Sequence, residues 1–405
     1  MSKAATVLYY TCASLPLMQA GAQNFTTQVG GRDPAGLIGV LPVPDGLDFD
    51  LTEGVKGAFA TSVALDSVYD SNLFLTDGNE KSEFSTNISP RVAYFSDPEG
   101  GAKVTLTANY MPVLRTYWHN DDLNEFDQSG EVAIRVEGAK TVLSAYVNYN
   151  ELSGTDRLTG QFVNGSLFTA GLQGVYQLAP RTSLFASTKV AMSDYGTNSL
   201  EGSDIYTTEV GAYWAATERF SFGPSIRYNL AQADTTGSRD AWALLMQAKY
   251  KVGERINLMG SLGVEYAKSS RDDDDSTVGL TGDLKATYAL SSKWVWANSI
   301  EYVTVPSPNE ANYVINNLEI ATELNRELLH GTVGFGLDFN QSDYESVGTT
   351  TVPLDSEDNI GVYVTYRRKF FLDRVDFDSK IRYAENDGNV DWEQLQISAG
   401  LEIRF

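Results

Sequence analysis

The C-terminal segment alternates apolar and polar residues one by one, and this period of two constrains the fold more than any other feature. From Leu395 to Phe405, apolar residues occupy every second position, with polar or small residues between them. Similar runs occur at 220–230, 256–267 and 278–288. Strict alternation over about a dozen residues is typical of a β-strand with one apolar face. The sequence therefore predicts an all-β protein.

The connections between these runs are alternately short and long. Short turns are predicted at 97–101, 137–140, 179–182, 217–219, 253–255, 291–293, 325–327 and 372–374. Longer polar segments lie near 70–81, 118–125, 153–161, 196–203, 234–239, 269–276, 305–312, 343–358 and 386–390. Together these connections separate about 18 strands, and the expected number lies between about 16 and 18.

Long strands joined by alternately short and long connections are typical of a transmembrane antiparallel up-and-down β-barrel. A β-sandwich or a β-propeller is the soluble alternative, but no repeat of blade length is visible. The apolar face of the better-defined strands carries no charge at its centre. Tyr and Trp occur toward strand ends, as a membrane-interface girdle requires: Tyr94, Tyr149, Trp214, Tyr228, Tyr266, Tyr288 and Trp296. We therefore expect a bacterial outer-membrane barrel.

Composition excludes several other classes of protein. The 405 residues include 53 acidic and 30 basic side chains, and the net charge of -23 argues against nucleic acid as a partner. A single cysteine excludes a disulfide framework and a zinc site built on paired cysteines. Mean hydropathy is -0.23, which alone would also suit a soluble protein.

The first residues predict export. Residues 1–22 combine an early Lys3, a short apolar centre and the ending Ala20-Gly21-Ala22, which is typical of a secretory signal peptide. Residues 23–56 are rich in Pro and Gly, so we expect an extension that stays in the periplasm or enters the barrel as a plug. The barrel itself is predicted over 57–405.

A short motif resembles a known family. Tyr69-Asp70-Ser71-Asn72-Leu73-Phe74 is followed by Asp77, by 79–82 and by Ile88-Ser89-Pro90. This segment of about twenty residues is similar to the opening of the β-barrel porin 2 family, which includes proteins associated with exopolysaccharide export. The resemblance implies an outer-membrane location and a porin-like role. Asp70, Ser71 and Asn72 are also turn formers that would end the first strand.

The polar faces of the strands supply candidate pore-lining residues. These are Arg91, Arg135, Arg227, Lys249, Glu265, Asp283, Lys285, Glu319, Asp338, Arg367, Arg382, Glu402 and Arg404. Many of them could equally pair across strands and keep the interior wet, because a polar interior is general in such barrels. The wall is mixed with a mild acidic excess, which predicts a weak preference for cations.

Other chemistry has little support in the sequence. The run Asp272–Asp275 has oxygen ligands for Ca²⁺ but not their usual spacing, so a solvated acidic loop is the simpler interpretation. His119 and His330 are predicted on opposite sides of the membrane and cannot serve one catalytic site. We therefore expect no enzyme, no catalytic residue, no bound metal and no cofactor.

The sequence thus favours a porin-like channel for passive diffusion of small hydrophilic solutes. The alternatives are a conduit or accessory protein for exopolysaccharide export, and a plugged structural or adhesive surface barrel. Residues 343–358 form the longest predicted loop, which would narrow the pore if it folded inward and leave it open if it pointed outward. Expected partners are outer-membrane lipid, small hydrophilic solutes and the barrel assembly machinery, which would recognise Phe405. The oligomeric state is open.

Overall fold

A computed structural model describes residues 58–96, 102–155, 162–196, 202–233, 237–253, 255–269, 276–306, 313–346, 356–370, 374–388 and 391–405. The expected signal peptide, the extension at 23–56, the run Asp272–Asp275 and most of the predicted loop 343–358 lie outside these residues. Among the described residues no helix is long and apolar enough to cross a membrane.

The described residues form eighteen antiparallel strands in one closed sheet, as the sequence predicts. They are β1 Ala58–Asp70, β2 Glu83–Phe95, β3 Val104–Tyr117, β4 Glu125–Glu137, β5 Thr141–Thr155, β6 Phe162–Ala179, β7 Thr182–Tyr195, β8 Ser203–Ala215, β9 Phe220–Ala233, β10 Gly237–Val252, β11 Ile256–Ser269, β12 Ser276–Ser291, β13 Trp294–Pro306, β14 Tyr313–Leu328, β15 Gly331–Ser346, β16 Glu357–Phe370, β17 Val375–Asp387 and β18 Trp392–Arg404. Each strand pairs with its sequence neighbours, and β1 pairs with β18 to close the barrel. Closure leaves no unpaired edge, which is what lets a sheet cross lipid.

Alternation along each strand separates an inner from an outer face. In β1, Ala58, Ser62 and Asp66 are buried, whereas Val63 and Leu65 between them are exposed. The exposed set in the other strands is similarly rich in Leu, Val, Ile and aromatic residues. An exposed apolar belt around a closed barrel is the surface that a lipid bilayer covers.

Aromatic side chains form clusters on the outer face near both ends of the barrel. At the long-loop end the ring of Phe84 lies 4.8 Å from that of Tyr69 and 5.6 Å from that of Trp118. At the short-turn end Phe222 contacts Trp214 at 5.5 Å between ring centres. These positions match the two membrane interfaces.

One local prediction and one irregularity need comment. The turn predicted at 325–327 is wrong by a few residues, because β14 continues to Leu328 and the chain reverses at Leu329 and His330. The polar residues at 325–327 belong to the end of β14, which extends beyond the apolar belt. Pairing between β2 and β3 is also irregular near Pro112, since it is interrupted between Ile88–Leu114 and Val92–Tyr110. Pro90 and Pro112 have no amide hydrogen to donate there.

Candidate functional site: the inner wall and the outer mouth

The predicted pore-lining residues all occupy inner-facing positions of their strands. Arg91 and Arg404 stand directly opposite buried Ser62, one on each neighbouring strand. Arg227, Glu265, Arg382 and Glu402 are buried inside the barrel, while Arg367 is exposed at the short-turn end. The alternation of apolar and polar residues in the sequence therefore places these side chains on the inner face of the barrel. Whether they act in the passage of solutes stays a prediction.

Strands β9 to β13 curl into a tight lobe. Cα atoms of β9 and β13 approach within 8 Å although three strands separate them in the sheet. Inside the lobe, Arg227 Nη2 donates to Thr281 Oγ1 at 2.9 Å, and Ser261 Oγ donates to Asp283. Gln247 donates to Glu209 and to Ser225 Oγ. Polar side chains thus fill this part of the interior, and Arg227 and Asp283 help to hold the lobe together.

Elsewhere, most of the predicted charges have partners on the same wall. Arg382 Nη2 lies 2.8 Å from Asp338 Oδ2, and Arg404 pairs with Asp376. Ser62 Oγ donates to Glu402 at 2.6 Å, and Arg239 Nη2 lies 3.0 Å from Glu265 Oε1. The remaining contacts are Arg91 Nε to Asn109 at 2.7 Å, Arg135 Nε to Glu137 at 2.7 Å, and Asn317 and Asn340 to Glu319 at 3.0 and 3.2 Å. Most of the predicted inner-wall charges are therefore hydrogen-bonded or ion-paired to side chains of the same wall.

Inner aromatic rings support two of the lysines. Lys249 Nζ lies 4.3 Å from the centre of the Tyr213 ring, and Lys380 Nζ lies 4.8 Å from that of Tyr363. Gly336 makes room for Tyr363, because a Cβ there would come within 1.9 Å of the ring. A cation held over an aromatic face keeps its charge and loses freedom of movement. Lys285 also faces inward on β12.

The first long loop folds into the outer mouth, which the sequence did not predict. We call residues 71–82 the mouth loop. Leu73 and Leu75 are buried, and Leu75 packs with Ala384 of β17 and Trp392 of β18. At another point of the loop, Thr155 Oγ1 at the end of β5 donates to the carbonyl oxygen of Leu73. The mouth loop therefore extends from the β17–β18 wall to β5.

The family-like motif anchors the mouth loop to the last strand. Gln394 Nε2 and Gln396 Nε2 of β18 donate to the Asp70 carboxylate at 2.9 and 2.8 Å. Ser71 exchanges hydrogen bonds with Leu395 through its N–H and its Oγ. We call Asp70, Ser71, Asn72, Gln394 and Gln396 the seam latch, because they join the first and last strands at the outer mouth.

Asn72 is the centre of the seam latch and is 0% exposed. Its Nδ2 donates to the carbonyl oxygens of Thr76 and Glu393 at 2.9 and 3.0 Å, and its Oδ1 accepts from Thr76 N–H at 3.1 Å. Leu75, within this turn, has φ of 48°, a left-handed conformation that is unfavourable for a branched side chain. Burial of Leu75 against Trp392 offsets that strain.

Two further groups support the wall around the mouth. Arg115 Nη1 donates to the Ser153 carbonyl oxygen at 2.7 Å, and Ser153 Oγ donates to Asp127 at 2.5 Å. Glu83 accepts from the N–H groups of Trp118 and His119 at 3.2 and 3.1 Å and so fixes the second long loop. Sequence reasoning missed these residues because their role depends on contacts between different strands and loops, which no local pattern encodes. His119 and His330 lie at opposite ends of the barrel, as predicted.

A closed 18-stranded antiparallel barrel with a polar inner face, an exposed apolar belt and aromatic residues at both interfaces is an outer-membrane β-barrel. The protein is therefore a bacterial outer-membrane protein. The short turns face the periplasm and the long loops face outward, as in barrels of this class. Within the described residues no group of three or more His, Cys, Asp or Glu is placed to hold a metal ion.

Comparison with solved structures finds other outer-membrane proteins at low similarity. OpdK from Pseudomonas aeruginosa is 11% identical, with 86% of this chain and 99% of that chain covered and a TM-score of 0.46. A BenF-like porin from Pseudomonas fluorescens Pf-5 is 12% identical, with 86% and 99% covered and a TM-score of 0.44. The FrpB iron transporter from Neisseria meningitidis is 9% identical, with 81% of this chain covered and a TM-score of 0.48; the chain spans 63% of its length.

No family model and no curated protein matches the sequence. Membership of the β-barrel porin 2 family therefore stays a prediction that rests on the motif at 69–90. The assignment to the outer membrane rests on the geometry of the barrel itself.

Proposed function

We propose that the protein is an outer-membrane channel through which small hydrophilic solutes diffuse passively. The observation that carries this proposal is the inner face of a closed barrel, which is lined by charged and amide side chains. A dry, apolar interior would serve a purely structural barrel equally well and would exclude polar solutes. No catalytic step and no cofactor belong to the proposal.

The proposed passage runs beside the β9–β13 lobe and beneath the mouth loop. The lobe is filled by hydrogen-bonded side chains, so solutes would pass along the inner faces of β14–β18 and β1–β6. The mouth loop would set the upper size of solute. Lipid around the belt, solutes within the barrel and the assembly machinery at Phe405, which is 77% exposed, are the proposed partners.

Single-channel recording in planar bilayers tests this function with the full chain. We expect steady conductance steps and a reversal potential in a KCl gradient that shows a weak preference for cations. A correctly folded barrel that conducts no current at all would contradict the proposal and favour the plugged surface barrel.

The export alternative predicts a continuous basic track through Arg91, Arg227, Arg367, Arg382 and Arg404. Arg227 is bonded within the lobe, and Arg382 and Arg404 are paired with carboxylates, so the described contacts do not favour such a track. Block of the current by an anionic polysaccharide added on the periplasmic side would support export instead.

A further inference from the structure

Among the described residues, cations outnumber carboxylates at the short-turn end of the barrel, and carboxylates outnumber cations at the long-loop end. Lys or Arg occurs in or directly beside every short turn: Lys103, Lys140, Arg181, Arg219, Arg255, Lys293, Arg326 and Arg374. Among the described residues of these turns the carboxylates are fewer: Glu137, Glu218 and Glu327. At the other end, outward-facing carboxylates such as Asp358, Glu385 and Glu393 predominate among the described residues.

One sector of the basic end combines cations with aromatic rings on the lipid-facing side. The Arg326 guanidinium lies 5.2 Å from the centre of the Trp294 ring, and the Arg368 guanidinium lies 4.8 Å from that of Phe370. Both arginines are exposed. Between them, at the turn of β14 and β15, Leu329 is 89% exposed. We call Lys293, Trp294, Arg326, Leu329, Arg368 and Phe370 the basic–aromatic patch.

This arrangement matches the chemistry of a phospholipid at the membrane interface. Aromatic rings prefer the headgroup level, and guanidinium groups bind phosphate through paired N–H donors. Each Lys or Arg near an anionic membrane surface strengthens binding about fivefold. Because the patch lies at the periplasmic end, its neighbours are lipids of the inner leaflet of the outer membrane.

We propose that the basic–aromatic patch is a binding surface for anionic phospholipid headgroups of the periplasmic leaflet. Arg326 and Arg368 hold the phosphate, Lys293 adds attraction, and Trp294 and Phe370 pack against the glycerol and upper acyl region. The carboxylates at the long-loop end repel the same headgroups, so the barrel prefers anionic phospholipid only in the periplasmic leaflet. The inference is independent of solute passage.

Native mass spectrometry of the full barrel, titrated with dioleoyl phosphatidylglycerol or dioleoyl phosphatidylcholine, tests the proposal. We expect phosphatidylglycerol to remain bound at concentrations at least tenfold lower than phosphatidylcholine. The variant Arg326→Gln/Arg368→Gln should lose most of that preference, and 0.5 M NaCl should weaken it. Arg326→Lys/Arg368→Lys should retain part of it, because the charges remain.

A matched control removes two charges from the same end but from the inner wall. Lys249→Gln/Arg367→Gln should leave the preference for phosphatidylglycerol unchanged, since these side chains face the lumen. Heat-modifiable migration on gels checks that each variant is folded. Equal binding of the two lipids by the parent barrel would overturn the proposal, as would equal losses in the patch and control variants.

Discussion

At the scale of single residues, Asn72 joins three parts of the chain at the outer mouth. Its side chain bonds Thr76 of the mouth loop and Glu393 of β18, and its N–H donates to the Asp70 carboxylate of β1 at 2.9 Å. A short side chain with both a donor and an acceptor is needed for these bonds. The motif residue is therefore a structural anchor as well as a turn former.

The variant Asn72→Ala should loosen the mouth loop. It leaves the Thr76 N–H and two carbonyl oxygens without their partner, and the free energy of unfolding should fall by about 1–3 kcal/mol. If the protein is a channel, its conductance should rise because the loop no longer narrows the mouth. Urea unfolding in vesicles and single-channel recording measure the two effects.

Asn79→Ala is the control for that experiment. Asn79 lies in the same loop with an exposed side chain, and only its backbone carbonyl oxygen is used, by Thr76 Oγ1 at 3.3 Å. It should change neither stability nor conductance. Equal behaviour of the two variants would show that the seam latch does not hold the loop.

At the scale of elements, each strand is divided into a lipid-facing and an inner-facing set of side chains. Leu262, near the middle of β11, is 66% exposed on the outer face, whereas its neighbour Ser261 is buried and bonded to Asp283. Direct pairing across the ladder places Leu262 opposite Met246 and Gly282, within the apolar belt.

Leu262→Arg should therefore lower the free energy of unfolding by about 2–4 kcal/mol, the cost of an arginine at the bilayer midplane. Asn257→Arg, at the short-turn end of the same strand, should change it by less than about 0.5 kcal/mol. Urea unfolding in phosphatidylcholine vesicles, followed by tryptophan fluorescence, compares them. If both variants are as stable as the parent, β11 does not contact lipid as the barrel requires.

At the scale of the whole molecule, the inner wall carries opposite charge excess at its two ends. Near the mouth the carboxylates of Asp70, Glu83, Asp127, Glu265 and Glu357 outnumber Arg115 and Arg239. Near the short turns the inner wall has more cations than anions, among them Arg91, Arg135, Lys249, Arg367, Lys369 and Lys380. Fixed charges of opposite sign at the ends of a passage enrich opposite counterions there.

If the barrel conducts, its current should therefore depend on the sign of the voltage. When the long-loop side is positive, cations enter the barrel from its acidic end and anions enter from its basic end. Both ions then accumulate inside the barrel, so the current is larger than at the opposite voltage. The current–voltage curve of singly oriented channels measures this asymmetry. Lys249→Gln/Arg367→Gln should reduce it, whereas Arg326→Gln/Arg368→Gln on the outer face should not. A symmetric curve from the parent channel would contradict this charge distribution.

The strands, their number and the face of each predicted pore-lining residue could be predicted from the sequence. Alternation is a local property, since successive side chains of a strand point to opposite sides whatever the strand pairs with. The inner-facing placement of residues such as Arg91, Glu319 and Arg382 could therefore be predicted from the alternation along their strands alone. The turn at 325–327 was misplaced because polar residues also end strands beyond the apolar belt.

The tertiary structure alone decided which residues meet inside the barrel. The curl of β9 to β13, the contact of Asp70 with Gln394 and the packing of Leu75 on Trp392 join positions far apart in the sequence, and no local period encodes them. The seam latch exists because β1 and β18 become neighbours only when the sheet closes. The alternation of apolar and polar residues thus determined a barrel with a lipid-facing outer surface. Closure of the sheet determined which side chains fill the interior and the mouth of that barrel.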